Sequence, residues 1–225
     1  MGGMVAQELA LRFPERVRGL VLGATTPGGP RAVLPTLAEL SALLRAGREP
    51  GGHWLAPALF SPAFRRRHPE RVAELLRPFG RHRAPAHGVL AHWWATVYHD
   101  TTSRLGQIQA PTLVLHGECD GLAPIANSRL LAARIPEAEL AIVPGAGHAY
   151  ALECPEAAYD LFAGWLDRRG PIAPGVARSG LVARAEPLTR ALGLPVGALR
   201  AGGSLATVIG ERILKARRAE GTCGG

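Results

Sequence analysis

Two side chains of this sequence, Asp120 and His148, have the chemistry and the placement to move a proton between them and a third group. Each follows a short apolar run. Residues 111–117 (PTLVLHG) lead into Glu118-Cys119-Asp120-Gly121-Leu122-Ala123-Pro124, and residues 138–144 (AELAIVP) lead into Gly145-Ala146-Gly147-His148. Nearly continuous apolar runs of this length read as strands covered on both faces of a parallel sheet. In open parallel sheets the loops at the carboxyl ends of the strands converge on one crevice. An aspartate on one strand end and a histidine on the next can then meet. The carboxylate holds the imidazole in one tautomer and stabilises its charged form, which makes the pair the orienter and base of a nucleophilic triad. Each residue also has a plainer reading: an aspartate ahead of a helix start is commonly an Asx turn or a cap, and a histidine after glycine is commonly just exposed. Placement of both at adjacent strand ends favours the catalytic pairing. Glu118 is a second carboxylate in the loop, but it follows the strand directly and Asp120 has the better reach.

The elements that must position this pair are legible as an alternation. Residues 3–13 carry Val5, Leu9 and Phe13 at spacings of four, with Ala6 and Ala10 beside them, which predicts a helix packing that face on something apolar. Pro14 ends it. Residues 18–25 (RGLVLGAT) form another apolar run covered on both faces, a first strand. Residues 124–135, with Ile125, Leu130, Leu131 and Ile135, and 155–168, with Ala158, Leu161, Phe162 and Trp165, predict helices after the second and third strands. Strand and helix in alternation imply right-handed crossovers and a parallel α/β sheet. Residues 30–104 break the rhythm: helical segments at 33–45, 63–77 and 86–98, without a convincing strand, read as a lid inserted between two sheet strands. Past Gly170 the composition shifts to Gly-Pro-Ile-Ala-Pro-Gly and weakly helical pieces, a tail that docks as helices or stays partly disordered.

The segment from PTLVLHGECDGLAP to VPGAGHAYALECPE resembles the second half of the α/β-hydrolase family, whose acid and histidine stand where Asp120 and His148 stand. The opening MGGMVAQELALRFPERVRGLVLGATTPGG is similar to the family's nucleophile elbow, its helix and the next strand. The resemblance covers residues 1–168 and keeps the order nucleophile, acid, histidine. It implies an elbow G-x-S-x-G, in which the residue after the serine donates its backbone N–H to the oxyanion. That residue is Met1, with Gly2 and Gly3 letting the helix approach the turn. The serine itself falls immediately before Met1, as do the earlier strands and the loop with the second oxyanion donor. Gly202-Gly203-Ser204-Leu205-Ala206 imitates an elbow, but no strand precedes it and it follows His148, so Ser204 reads as a helix cap. The expectation is therefore an incomplete sheet with an unpaired strand edge, negligible hydrolysis by this chain as written, and either a coding start upstream of Met1 or a gene remnant.

Composition narrows the partners. Hydrophobic residues make up 47% and charged residues 20%, the balance of a soluble globular protein. No apolar stretch is long enough to span a membrane. The net charge of +8 is almost all arginine, Lys215 being the single lysine, and no aromatics interleave with the arginines as a strand-binding surface requires. Nucleic acid is not an expected partner. Cys119, Cys154 and Cys223 form no C-x-x-C pair and no leader precedes them, so a reduced, cytoplasmic setting is expected. The histidines show no ligand spacing, so no metal or cofactor is called for.

The resulting expectation is an α/β-hydrolase fold with an incomplete parallel sheet, an inserted helical lid and a C-terminal helical tail. Its parts are the elbow helix and strand at 1–29, the lid at 30–104, the C-terminal hydrolase core at 105–169 and the tail extension at 170–225. Catalytic roles fall on Asp120 and His148 and an oxyanion role on Met1, for acyl transfer from a small ester, lactone or amide. The lid aromatics Trp54, Phe60, Phe64, Trp93, Trp94 and Tyr98 read mainly as lid core, with one of Trp93 and Trp94 able to line the pocket. The lid's resemblance is to lactonase, esterase and proline-iminopeptidase-like members. The competing reading is a non-catalytic remnant that binds a small apolar ligand or a partner protein. Oligomeric state is left open.

Overall fold

Three apolar runs become three parallel strands: β1 (Leu20–Gly23), β2 (Thr112–Gly117) and β3 (Glu139–Val143), in the spatial order β1-β2-β3. The computed structural model describes residues 1–36, 39, 53–81 and 86–169. Most of the helix expected at 33–45, the tail with Ser204, and Cys223 lie outside the described residues. The chain divides into two units, Met1–Trp165 and Leu166–Gly225, and all three strands belong to the first. Register pairs Leu20 with Thr112 through Gly23 with Leu115, and Leu113 with Glu139 through Gly117 with Val143. Every β2 residue is buried, as its unbroken apolar run demands of a central strand. On β1, however, Val21 is exposed, so the two-sided coverage expected there does not hold.

Helix α1 (Gly2–Arg12) packs on β1 through a different face from the expected one. Met4, Gln7 and Ala10 are buried, whereas Val5, Leu9 and Phe13 are exposed. The reason is polar: Gln7 is fully buried, its amide donating to the Thr26 carbonyl at 3.1 Å and its Oε1 accepting the Thr101 hydroxyl at 2.6 Å. A satisfied buried amide can hold a face that a purely apolar count assigns elsewhere. Leu22, Leu105, Ile108, Val114, Leu131 and Ile135 form the main core between sheet and helices.

Between β1 and β2 lie α2 (Ala56–Leu59), α3 (Pro62–Arg67), α4 (Pro69–Arg81) and α5 (Ala86–Tyr98). The single helix expected over 63–77 is two, broken at His68, because Pro69 has no N–H to continue the ladder. Ser61 caps α3, its side chain accepting from the Phe64 N–H. Phe60, Val72 and Leu76 form a second core, with Phe60 and Phe64 stacked at 5.6 Å between ring centroids. Trp94 and Tyr98 do not join it: both are exposed and stack on each other at 5.4 Å, against the reading of all these aromatics as lid core. After β2 come α6 (Ile125–Arg134), β3, the short α7 (Tyr150–Glu153) and α8 (Pro155–Arg169). Asn127 of α6 is buried, and its side chain accepts from the Val33 N–H and donates to the Val33 carbonyl, both at 2.8 Å. No helix among the described residues is long and apolar enough to cross a membrane.

Candidate functional site

The loops after β2 and β3 are stitched into one rim by backbone hydrogen bonds. The Glu118 N–H donates to Val143 O at 3.0 Å and the Cys119 N–H to Ala146 O at 2.8 Å, while Asp120 N–H closes a turn onto Gly117 O at 3.1 Å. The rim is so tight at Gly117 that a Cβ there would collide with the carbonyls of Ala146 and Gly147. Gly145 turns the chain away from β3 with φ +67°, in the left-handed region that favours glycine. Its N–H donates to Glu118 Oε2 at 2.8 Å. Glu118, the carboxylate set aside in favour of Asp120, therefore braces the loop that carries the histidine.

Asp120 and His148 meet on this rim. His148 Nδ1 lies 2.9 Å from Asp120 Oδ2, the aspartate side chain fully buried and the imidazole 27% exposed. The other carboxylate oxygen, Oδ1, accepts the Ala123 N–H at 2.8 Å. One carboxylate oxygen thus closes the turn and the other faces the imidazole. With Nδ1 committed to the carboxylate, Nε2 is the nitrogen left to take a proton.

Four further groups surround the pair, and the sequence singled out none of them. His116, on β2 and fully buried, has Nε2 3.4 Å from Asp120 Oδ2 and Nδ1 2.7 Å from Ser128 Oγ, itself buried on α6. Burial pulls the His116 pKa below its usual value, more than Asp120 raises it. Tyr150 packs its hydroxyl against Gly23 at the carboxyl end of β1, where a Cβ would clash with it. Burial, with Asp120 adding to it, pushes its pKa up to about 12, so it is a neutral phenol. Glu153 on α7 is buried, with Oε1 accepting the N–H groups of Ser61 and Gly147 at 2.7 and 2.9 Å and Oε2 accepting the Ser61 hydroxyl at 2.8 Å. The Ala149 N–H donates to Leu59 O at 2.8 Å. Both residues flanking His148 are thereby tied to the helical block that precedes β2. A polar residue inside an apolar run, as His116 is, was the available signal; Glu153, within an ordinary helix start, offered none.

Met1 is the N-cap of α1, its carbonyl accepting from the N–H groups of Met4 and Val5 at 2.9 and 3.2 Å. Burial lowers the pKa of its terminal amine. The backbone after β1 passes through Ala24 at φ +44°, an uncommon conformation for a residue with a side chain. Among the described residues no group of three or more potential metal ligands occurs, and Cys119 and Cys154 form no disulfide.

Residues 1–155 match the family described as serine aminopeptidase, S33. The chain is 35% identical over 165 residues to a poly(3-hydroxyalkanoate) depolymerase of Ectopseudomonas oleovorans, a match covering 69% of this chain and 54% of that protein. Among solved structures it resembles a thermophilic esterase from Thermogutta terrifontis, with 29% identity and a TM-score of 0.58, over 74% of this chain and 62% of that one. It also resembles the enol-lactonase of Burkholderia xenovorans LB400, with 25% identity and a TM-score of 0.60, over 74% of this chain and 63% of that one. The chain thus spans between half and two thirds of the length of these proteins.

Proposed function

Because this chain belongs to the α/β-hydrolase family, we propose that it supplies the histidine and the acid of a Ser-His-Asp site for acyl transfer from a small ester, lactone or amide. The observation that carries the reading is the 2.9 Å contact of His148 Nδ1 with a fully buried Asp120 carboxylate, made across two neighbouring strand ends. The ester and lactone chemistry of the esterase and enol-lactonase it resembles supports the substrate class.

The serine is contributed by a G-x-S segment that joins directly ahead of Met1 and lies outside these 225 residues. Its hydroxyl adds to the substrate carbonyl as His148 Nε2 takes the proton. The leaving alcohol or amine departs with that proton, and water repeats the sequence to free the acid and restore the serine. Asp120 keeps His148 in the Nδ1–H tautomer and stabilises the imidazolium. Within such an extended chain Met1 contributes a peptide N–H at the start of α1, where a helix N-terminus favours the negative oxygen. Residues 30–104 serve as the lid over this crevice, between the core segments 1–29 and 105–169, and the protein works in a reducing, cytoplasmic setting.

The test is hydrolysis of p-nitrophenyl acetate by three proteins: the 225-residue chain, a version extended by the G-x-S segment and its preceding strands, and the extended version with His148→Ala. Turnover by the extended protein, lost by at least about a thousandfold in His148→Ala and missing from the 225-residue chain, is the expected pattern. Equal turnover with and without the imidazole removes the triad.

A further inference from the structure

Asp120 Oδ2 faces two imidazoles. His148 Nδ1 approaches it to 2.9 Å and His116 Nε2 to 3.4 Å, while Oδ1 is taken by the Ala123 N–H. His116 Nε2 is buried and has no satisfied hydrogen bond, and 3.4 Å leaves it a small rotation short of one with Oδ2. A buried nitrogen without a partner is costly; the carboxylate that orients His148 lies 3.4 Å away, and the Ala123 backbone carbonyl also acts on the ring.

We propose that His116 is a positioning residue for the acid: its Nε2–H, set by Ser128, faces Asp120 Oδ2 and shares with His148 the oxygen that holds the dyad together. The assignment rests on the reading of Asp120 and His148 as acid and base. The tautomer is set by what each neighbour can do. A carboxylate only accepts, whereas the Ser128 hydroxyl donates or accepts. With the proton on Nδ1, the Nε2 lone pair would point at the carboxylate inside a low-dielectric core, a repulsion with nothing to offset it. With the proton on Nε2, its N–H points at Oδ2, and Ser128 donates to Nδ1 across the observed 2.7 Å. Burial pulls its pKa down, which favours the neutral ring, a dipole rather than a second cation beside His148.

Two consequences reach the site. The carboxylate is held by donors at both oxygens, which fixes its rotation and so the plane in which it presents Oδ2 to His148. The second N–H also draws electron density from Oδ2, so Asp120 pulls less strongly on a proton at His148. Without it His148 holds its proton to higher pH and is less available as a base near neutrality. The titratable groups around the pair are Asp120, the neutral Tyr150, which is electrostatically coupled to Asp120, and Glu118 and Glu153, which act on the neighbouring Cys119. None of these is altered by changing His116.

The experiment is a pH titration of the whole 225-residue chain, ¹⁵N-labelled at histidine and followed by NMR, which needs no turnover. In the wild type, His116 takes up its proton at lower pH than a free imidazole and, while neutral, shows the nitrogen shifts of the Nε2–H tautomer. His116→Leu raises the His148 midpoint by about 0.5 to 1 pH. His116→Gln, which can present an amide N–H near the same place, returns it to within about 0.2 of the wild type. Ser128→Ala keeps the ring but loosens its tautomer, giving mixed His116 nitrogen shifts and a smaller rise at His148; it carries the test if His116→Leu does not fold. A His148 midpoint unmoved by all three changes, or a neutral His116 in the Nδ1–H tautomer, overturns the assignment. If Asp120→Asn also leaves His148 unmoved, it is the dyad itself that has failed, and the proposed function with it.

Discussion

At the residue scale the site depends on which lone pairs and protons face one another, and substitutions that keep shape but change protons are the most informative. Asp120→Asn keeps an oxygen for the Ala123 N–H at Oδ1 but places an amide N–H2 opposite His148 Nδ1. The imidazole must then turn its lone pair toward the amide, which moves its proton to Nε2, the nitrogen that accepts one in the proposed mechanism. In the serine-bearing extended protein this substitution is expected to lower kcat for p-nitrophenyl acetate by about 10⁴-fold. Far-ultraviolet circular dichroism should be unchanged. A fall of less than about tenfold would mean that Asp120 only caps its turn. The Asp120–His148 pair was legible because both residues follow apolar strand runs of known direction, so topology alone brings their loops together. His116, inside an apolar run, carried the one available mark; Ser128 and Glu153 were not legible, since nothing in their local sequence marks them for burial.

At the element scale, two buried or half-buried carboxylates hold neighbouring segments, and each has a testable cost. Glu8 of α1 receives both terminal nitrogens of Arg104, at 2.5 and 3.2 Å, across the gap to the segment before β2. That hydrogen bond, more than the second one from Arg12, lowers its pKa from 4.5 to about 2. A carboxyl depressed on folding contributes stability above its unfolded value and loses it as pH falls through the folded one, so the contribution fades between about pH 4.5 and 2. With Arg104 37% exposed, solvent screening leaves on the order of 1 kcal/mol. Urea midpoints at pH 6 and pH 3 should therefore differ less in Glu8→Gln than in the wild type, and an identical pH dependence would show the pair to be inert. Glu153 is a heavier case. Its removal in Glu153→Ala strands the N–H groups of Ser61 and Gly147 and the Ser61 hydroxyl in a buried place, at an expected cost of roughly 3 to 5 kcal/mol. Glu153→Gln keeps an accepting oxygen for the two N–H groups and should cost less than half as much in the same denaturation curves. The strands and the helices after them were legible from apolar runs and periodicity. The packing face of α1 was not, because Gln7 is held inside by two hydrogen bonds that no hydrophobic count registers, and the break at His68 needed only the rule that Pro69 cannot continue a helix.

For the whole molecule the decisive feature is an asymmetry in how the sheet is covered. β2 is buried along its full length between two partners, but among the described residues β1 pairs only with β2, leaving a row of backbone N–H and C=O groups along its outer edge. Val21 on that strand is 38% exposed, α1 beside it presents Val5 and Leu9 at 63% and 49%, and Phe13 at its C-cap is 45% exposed. Val5 and Leu9 stand one turn apart on one face of the helix, and Phe13 follows just past its end, so they are not scattered contacts. A single exposed apolar residue means little, but a contiguous stripe next to an open strand edge is the arrangement that drives self-association. The 225-residue chain is therefore expected to associate with further copies of itself, its mean mass by light scattering rising with protein concentration. Val5→Glu together with Leu9→Lys puts opposite charges one helical turn apart on the stripe, in the order that supports the helix. This pair should bring the mass down toward that of a monomer while leaving helicity intact. The strand edge survives the double change, so the residual association separates the two contributions: mass that persists belongs to β1, and mass that disappears belongs to the stripe. A wild-type chain that stays monomeric at every concentration would mean that the exposed apolar surface is too discontinuous to act as one patch.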